Sequence, residues 1–372
     1  MNGDSEIQTI SFSRGVPPAE AFPTRELQEC ATAILERESA VVLQYHPAAG
    51  FLPLREWLAH GYGVSSQAVL VSNGSLQIED FLTRLLTSPG DSVLVENPSY
   101  DRAITIFRRA GAQVVGVPLE PDGFDVGALE SLAEKEKPRF FYVIPDFQNP
   151  TGVTTSLAKR ERLVELAERY DFWVLEDNPY RELRYVGEEL PTVFSLGSEK
   201  VLHLSSFSKV LSPGIRVGYV IAPEPLVQQL ARMAEDTYVS PNMVGQGIVY
   251  EYCRRGWLGP NIDRLRDIYQ PRLEGLTSAL EEYLGEAQWT RPEGGFFIGV
   301  YLAPPVNMSA LRAKARDMGV LLSDGKGFFP EGDGDLFLRL PFCALSVHEI
   351  EEGIARLGSL VNSMDIHVSR RR

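Results

Sequence analysis

Long apolar runs are missing from these 372 residues. None approaches the ~18 residues that a membrane-spanning helix needs, so no membrane span is expected. Met1 to Phe12 is polar and lacks the basic-then-apolar order of a secretory signal. Cysteine is scarce. Cys30, Cys253 and Cys343 are odd in number and far apart, which gives neither a disulfide framework nor a CxxC metal pair. A reduced, cytoplasmic setting is the expectation. The five histidines, at positions 46, 60, 203, 348 and 367, show no metal-ligand pairing, and no metal is expected. Neither GxxxxGK[ST] nor GxGxxG occurs, which removes the obvious nucleotide-binding readings. Positive charge is short: 36 Lys and Arg face 50 Asp and Glu, a net charge of −14. Such a chain repels nucleic acid and anionic membrane surfaces. The one terminal basic cluster, Ser369-Arg370-Arg371-Arg372, reads as a solvated tail, and no nucleic-acid partner is expected.

What is present is alternation of short apolar runs with helical patterns. Ala68–Ser72, Ser92–Val95, Phe140–Ile144, Phe172–Leu175 and Val201–Leu204 read as strands. A helix is expected after Ser75, and another over Ser156–Tyr170 with Ser156 as its N-cap. Alternating strands and helices imply crossovers and a mostly parallel, helix-covered sheet, the α/β class. Ligands of such sheets sit at the carboxyl ends of the strands. The residues just past the five strands are Asn73-Gly74-Ser75, Glu96 to Tyr100, Asp146 to Gly152, Glu176 to Tyr180, and Ser205 to Lys209.

Those strand ends hold groups that suit an anionic, carbonyl-bearing ligand. Ser75 opens a helix, whose free amides and dipole favour an anion, although an ordinary turn has the same pattern. Ser206, Ser208 and Arg216 suit a phosphate. Lys209 is one of only seven lysines and follows an apolar strand. A lysine in such a place can lose its proton and attack a carbonyl. Asp177 ends an apolar strand, so its carboxylate needs a partner. That partner is either a structural cation or a pyridinium nitrogen.

These segments resemble the fold-type I, class I/II aminotransferases, which use pyridoxal phosphate (PLP). SSFSKVLSPGIRVGY resembles the cofactor-lysine motif, PDFQNPTG the Asn-Pro-Thr-Gly motif and EDNPY the Asp-x-x-Tyr motif. LQYHPAAGFLPLREWLA, FLRLPFCA, ISFSRGVPPAEAFP and RPEGGFFIGVYL also match, in the right order, over about residues 10 to 360. The subgroup resembled is that of 2-aminoadipate aminotransferases, which includes effector domains of winged-helix regulators. The pattern begins near residue 10, so no DNA-binding domain is expected ahead of it.

The resemblance implies roles. Lys209 would hold PLP as a Schiff base and then move the substrate proton. Asp177 would keep the ring nitrogen protonated. Tyr180 and Asn149 would bond the ring hydroxyl, and Tyr100 would stack on the ring. Gly74, Ser75 and Leu76, with Ser206, Ser208 and Arg216, would cradle the phosphate. Tyr45 would reach the phosphate in a partner subunit, implying a homodimer with shared sites. Arg339 would grip the substrate α-carboxylate, with Asn149 and Gly15 beside it. Arg14, where many relatives have glycine, either contacts an acidic substrate or is simply exposed. The expected domains are an arm (1–39) that joins a small α+β domain (286–372), and a large PLP-binding domain (40–285). Pro260 and Pro271 interrupt any single helix over Tyr250–Tyr283. The implied reaction is transfer from an L-amino acid to a 2-oxo acid such as 2-oxoglutarate. Elimination, cyclisation and oxidation on the same cofactor stay open.

Overall fold

A computed structural model describes residues 8–304 and 306–369; the arginines of the C-terminal basic cluster, Arg370–Arg372, and the start of the chain up to Ile7 lie outside the described residues. The five expected strands lie in one eight-stranded sheet. Its strands in chain order are β1 (Val69–Ser72), β2 (Ser92–Asn97), β3 (Gln113–Glu120), β4 (Gly123–Phe124), β5 (Phe140–Val143), β6 (Trp173–Asp177), β7 (Val201–Ser206) and β8 (Gly218–Ile221). The spatial order is β1-β8-β7-β6-β5-β2-β3-β4. The run from β7 to β3 is parallel, while β8 and β4 pair antiparallel with their neighbours.

The inner strands are buried on both faces, which is why they read as unbroken apolar runs. Alternate residues feed two cores. Val93, Val95, Phe140, Tyr142, Leu175 and Leu202 face one core, together with the helices Ser75–Leu86, Asp101–Arg109 and Met243–Arg254. Leu94, Phe141, Val143 and Val174 face the other, covered by Val126–Glu136 and Leu157–Arg169. A third core joins the antiparallel strands Phe297–Tyr301 and Phe337–Pro341 to the C-terminal helix Val347–Ser369. The strand Ile10–Phe12 pairs in parallel with Val320–Leu322 beside it.

Two local expectations need correction. Ser156 occupies the N-cap position, yet its hydroxyl donates to Asp122 Oδ2 at 3.1 Å and accepts no helix amide. A carboxylate is the stronger acceptor, so the hydroxyl turns toward it. Leu258–Tyr283 is one helix despite both prolines. Pro260 falls in the first turn, where an amide has no helical partner to lose. Pro271 lies inside, where burial of Tyr269, Leu273, Leu276 and Leu280 outweighs one lost hydrogen bond. Cys30 and Ile34 pack into the core under the large sheet, and Leu273 to Leu284 pack into the third core.

The loop after β5 is fixed by a buried ion pair. The Arg160 guanidinium, fully buried, donates to both oxygens of Asp146 at 2.9 and 3.2 Å and to the carbonyls of Pro145, Thr155 and Pro191. Arg160→Met leaves the Asp146 carboxylate with only the longer contacts to Arg181 and Arg184. Removing one partner of a buried pair costs ~3–5 kcal/mol, and the remaining arginines place this change near the lower end. Urea unfolding of the two proteins measures it.

Candidate active site

The carboxyl ends of β1, β2, β5, β6 and β7 open on a cavity of about 170 Å³. Gly74, Ser75 and Leu76 line it from the start of the Ser75 helix, and Tyr100 from the loop after β2. Asn149 enters from the loop after β5, and Asp177 and Tyr180 from the end of β6. Ser206, Ser208, Lys209 and Arg216 close it from β7 and the turn that follows. Eleven of the expected residues thus share one space.

The backbone shapes its anion end. Gly74 has φ +104°, which calls for glycine, and a Cβ there would fall 2.5 Å from Arg216 Nη2 and push that guanidinium aside. Arg216 Nη2 donates to the Asn73 carbonyl at 2.8 Å, which ties the arginine to the same turn. Ser206 Oγ lies 2.8 Å from Ser208 Oγ and accepts the Ser208 amide at 3.1 Å. Two hydroxyls, a guanidinium and the first amides of a twelve-residue helix therefore face one spot.

At the other end stands Asp177, 3% exposed. Its Oδ2 accepts from Tyr142 Oη at 2.7 Å, and its Oδ1 is buried without a partner. Burial raises this acid to about 6, against the hydrogen bond from Tyr142 and the charges of His203 and Lys209. The folded chain keeps this proton between the ordinary 3.8 and about 6, where the unfolded chain has released it. Without cofactor, stability should fall as pH rises through that window. Asp177→Asn should flatten the slope, as read from melting temperatures across it.

Lys209 Nζ lies 5.8 Å from the Tyr180 ring centre and 5.9 Å from that of Phe296. Desolvation lowers its pKa, which favours the free amine that attacks carbonyls. Arg339 lies beyond Asn149 and donates to its Oδ1 at 3.1 Å and to the Ser13 carbonyl at 3.2 Å. Its guanidinium is held between the rings of Phe297 and Phe328, at 4.8 and 4.7 Å, and its Nε is buried and unpartnered. This leaves a rigid planar fork with capacity to spare. Gly15 is needed nearby because the Phe297 ring occupies the space of any side chain there.

A model of the aminotransferase class I and II family matches residues 8–357, nearly the whole chain. The chain belongs to this family. This aminotransferase is 37% identical to a 2-aminoadipate transaminase of Thermus thermophilus, over 95% of this chain and 90% of that protein. It is 36% identical to an aromatic-amino-acid aminotransferase of Thermococcus litoralis, over 95% and 88% of the two chains. Among solved structures it resembles the α-aminoadipate aminotransferase of Thermus thermophilus complexed with N-(5'-phosphopyridoxyl)-L-leucine. That match has a TM-score of 0.91 at 36% identity and covers 95% of this chain and 92% of that one. The enzyme is a PLP-dependent aminotransferase of fold type I. Its residues fit the cofactor: an anion pocket, an unpartnered buried carboxylate oxygen and a desolvated amine border one cavity.

Four expected residues stand apart from the cavity lining, Gly15 among them. Tyr45 is 75% exposed. Arg14 is exposed. Arg339 reaches the site only through Asn149. Tyr142, Phe297 and Phe328 carry no sequence signal for their places at the site. Glu79 also lines the cavity, one turn after Ser75. That acid was visible as a break in the apolar face formed by Ile78, Phe81 and Leu82.

Proposed function

We propose that this aminotransferase moves the amino group of an L-amino acid to 2-oxoglutarate, with Lys209 as the catalytic amine. The observation that carries the reading is that Lys209 lines one cavity with Asp177 and with Asn149, whose Oδ1 accepts from Arg339. Bound PLP supplies an aldehyde for covalent attachment and an electron-withdrawing ring that stabilises negative charge at the substrate Cα. The protein residues do the rest. Arg339 holds the α-carboxylate by a two-pronged bond and fixes which Cα bond faces the ring. Lys209 would take up and return the substrate proton through its Nζ amine. Asp177 would keep the ring nitrogen protonated. Tyr180 and Asn149 would bond the ring hydroxyl, Tyr100 would pack on the ring, and Ser75, Ser206, Ser208 and Arg216 would hold the phosphate.

A homodimer with shared sites belongs to the same proposal. Tyr45 is exposed, and so are Leu43 and Val239. The His46 amide bonds Ser240 Oγ at 3.1 Å, so their two segments adjoin. A second copy set on this face would cover them and could receive Tyr45. The division into a large PLP domain and a small domain is also proposed, with the boundaries moved as the cores indicate. A direct test uses 15N-labelled amino acids with 2-oxoglutarate. Appearance of 15N-glutamate supports the reading. Release of ammonia or of a cyclised product without glutamate contradicts it.

A further inference from the structure

The cavity contains a second acid that the roles above leave unused. Glu79 is 1% exposed, and its Oε2 is buried without a hydrogen-bond partner. Its side chain lines the same cavity as Asp177, whose Oδ1 is likewise unpartnered. A buried, unsatisfied carboxyl is costly to the apoprotein. Two such carboxyls bordering one small cavity cannot both ionise cheaply. A bound, protonated ring nitrogen brings one positive charge. One carboxylate balances it, and two would leave a buried negative charge.

We propose that Glu79 is a positioning residue: it enters the cofactor cavity as a neutral acid, donates a hydrogen bond there, and leaves Asp177 as the single carboxylate for the ring nitrogen. The inference rests on the assignment of Asp177 to that nitrogen. The surroundings favour a neutral acid. The titratable groups that face Glu79 are Asp177 on β6, Tyr142 on β5 and Tyr100 at the start of the next helix. None of these three is a cation; the cations that line the same cavity, Lys209 and Arg216, leave Glu79 Oε2 without a hydrogen bond. Burial, and then the charge of Asp177, hold Glu79 far above the usual carboxylate range. Lys209 and His203 place their charges nearer Asp177, which makes Asp177 the member that ionises. The arrangement trades apoprotein stability for an ordered cofactor site.

The test compares Glu79→Gln, Glu79→Leu and Asp177→Asn with the parent enzyme. In the PLP-loaded parent at neutral pH, infrared spectroscopy should show a protonated-carboxyl band that vanishes in Glu79→Gln. The amide variant keeps a neutral donor, so its PLP dissociation constant should stay within about twofold of the parent value. Glu79→Leu loses the donor, and its constant should rise about tenfold, the loss of roughly one hydrogen bond. Glu79→Leu should melt higher than the parent when free of cofactor, because a buried unsatisfied group is gone, and Glu79→Gln should melt close to the parent, which shows that both fold. Absence of the infrared band, or PLP binding by Glu79→Leu equal to the parent's, overturns the inference. So does a lower pH midpoint of the visible cofactor band in Glu79→Gln, since that marks removal of a real negative charge. Asp177→Asn separates the two claims. If it weakens PLP binding while Glu79→Leu does not, only the Glu79 inference falls. If it binds PLP as the parent does, the assignment of Asp177 falls with it.

Discussion

Lys209→Ala should fold normally, take up PLP without covalent attachment, and transfer amino groups roughly 10³-fold more slowly, within the range a positioned acid–base group supplies. The reason lies in the surroundings of the amine. Lys209 stands at the end of β7, desolvated, with aromatic rings of Tyr180 and Phe296 about it. Desolvation lowers its pKa and keeps a fraction of it neutral and nucleophilic. Alanine removes both the nucleophile and the group that moves the Cα proton, and no neighbour replaces it. Tyr180 has a hydroxyl, but burial raises its pKa well above the ordinary value, so it is a poor base. The fold should not suffer, since a desolvated amine stabilises little. Circular dichroism, the visible spectrum and single-turnover rates on the same preparation test the three parts together.

Arg339→Gln should lower kcat/KM for amino acid and 2-oxo acid alike by roughly 10² to 10³-fold, the effect of deleting one side of a desolvated charge pair. Both substrates carry the carboxylate that the fork grips, so both should lose. Arg339→Lys should fare little better. Phe297 and Phe328 hold a flat guanidinium between their rings, and an ammonium neither fills that slot nor offers two parallel donors. The cofactor band should remain in both variants, because Arg339 is not part of the cofactor cavity lining. Loss of the band together with activity would move Arg339 from substrate binding to cofactor binding.

The legible part of the fold was the sheet. β2, β5, β6 and β7 are apolar runs because both of their faces are covered, and the rule that ligands sit at carboxyl ends led directly from them to Tyr100, Asn149, Asp177 and Lys209. Contacts made across segments were not legible. Phe297, Phe328 and Arg339 lie on three separate stretches, and no spacing joins them. Asp177 could be read as needing a partner, but Tyr142, which supplies one, pointed from the neighbouring strand. Helix continuity through Pro271 was hidden as well, because tertiary burial settled it against local propensity. Glu79 is a different case. Its position one turn after Ser75, in an apolar face, was readable from period alone.

The most direct measurement is the visible spectrum of the PLP-loaded enzyme as an L-amino acid and then 2-oxoglutarate are added. The account predicts a band that falls with the amino acid and returns with 2-oxoglutarate, and that is absent from PLP-loaded Lys209→Ala before any amino acid is added. A band that falls and does not return, or one already present in Lys209→Ala without amino acid, would contradict it.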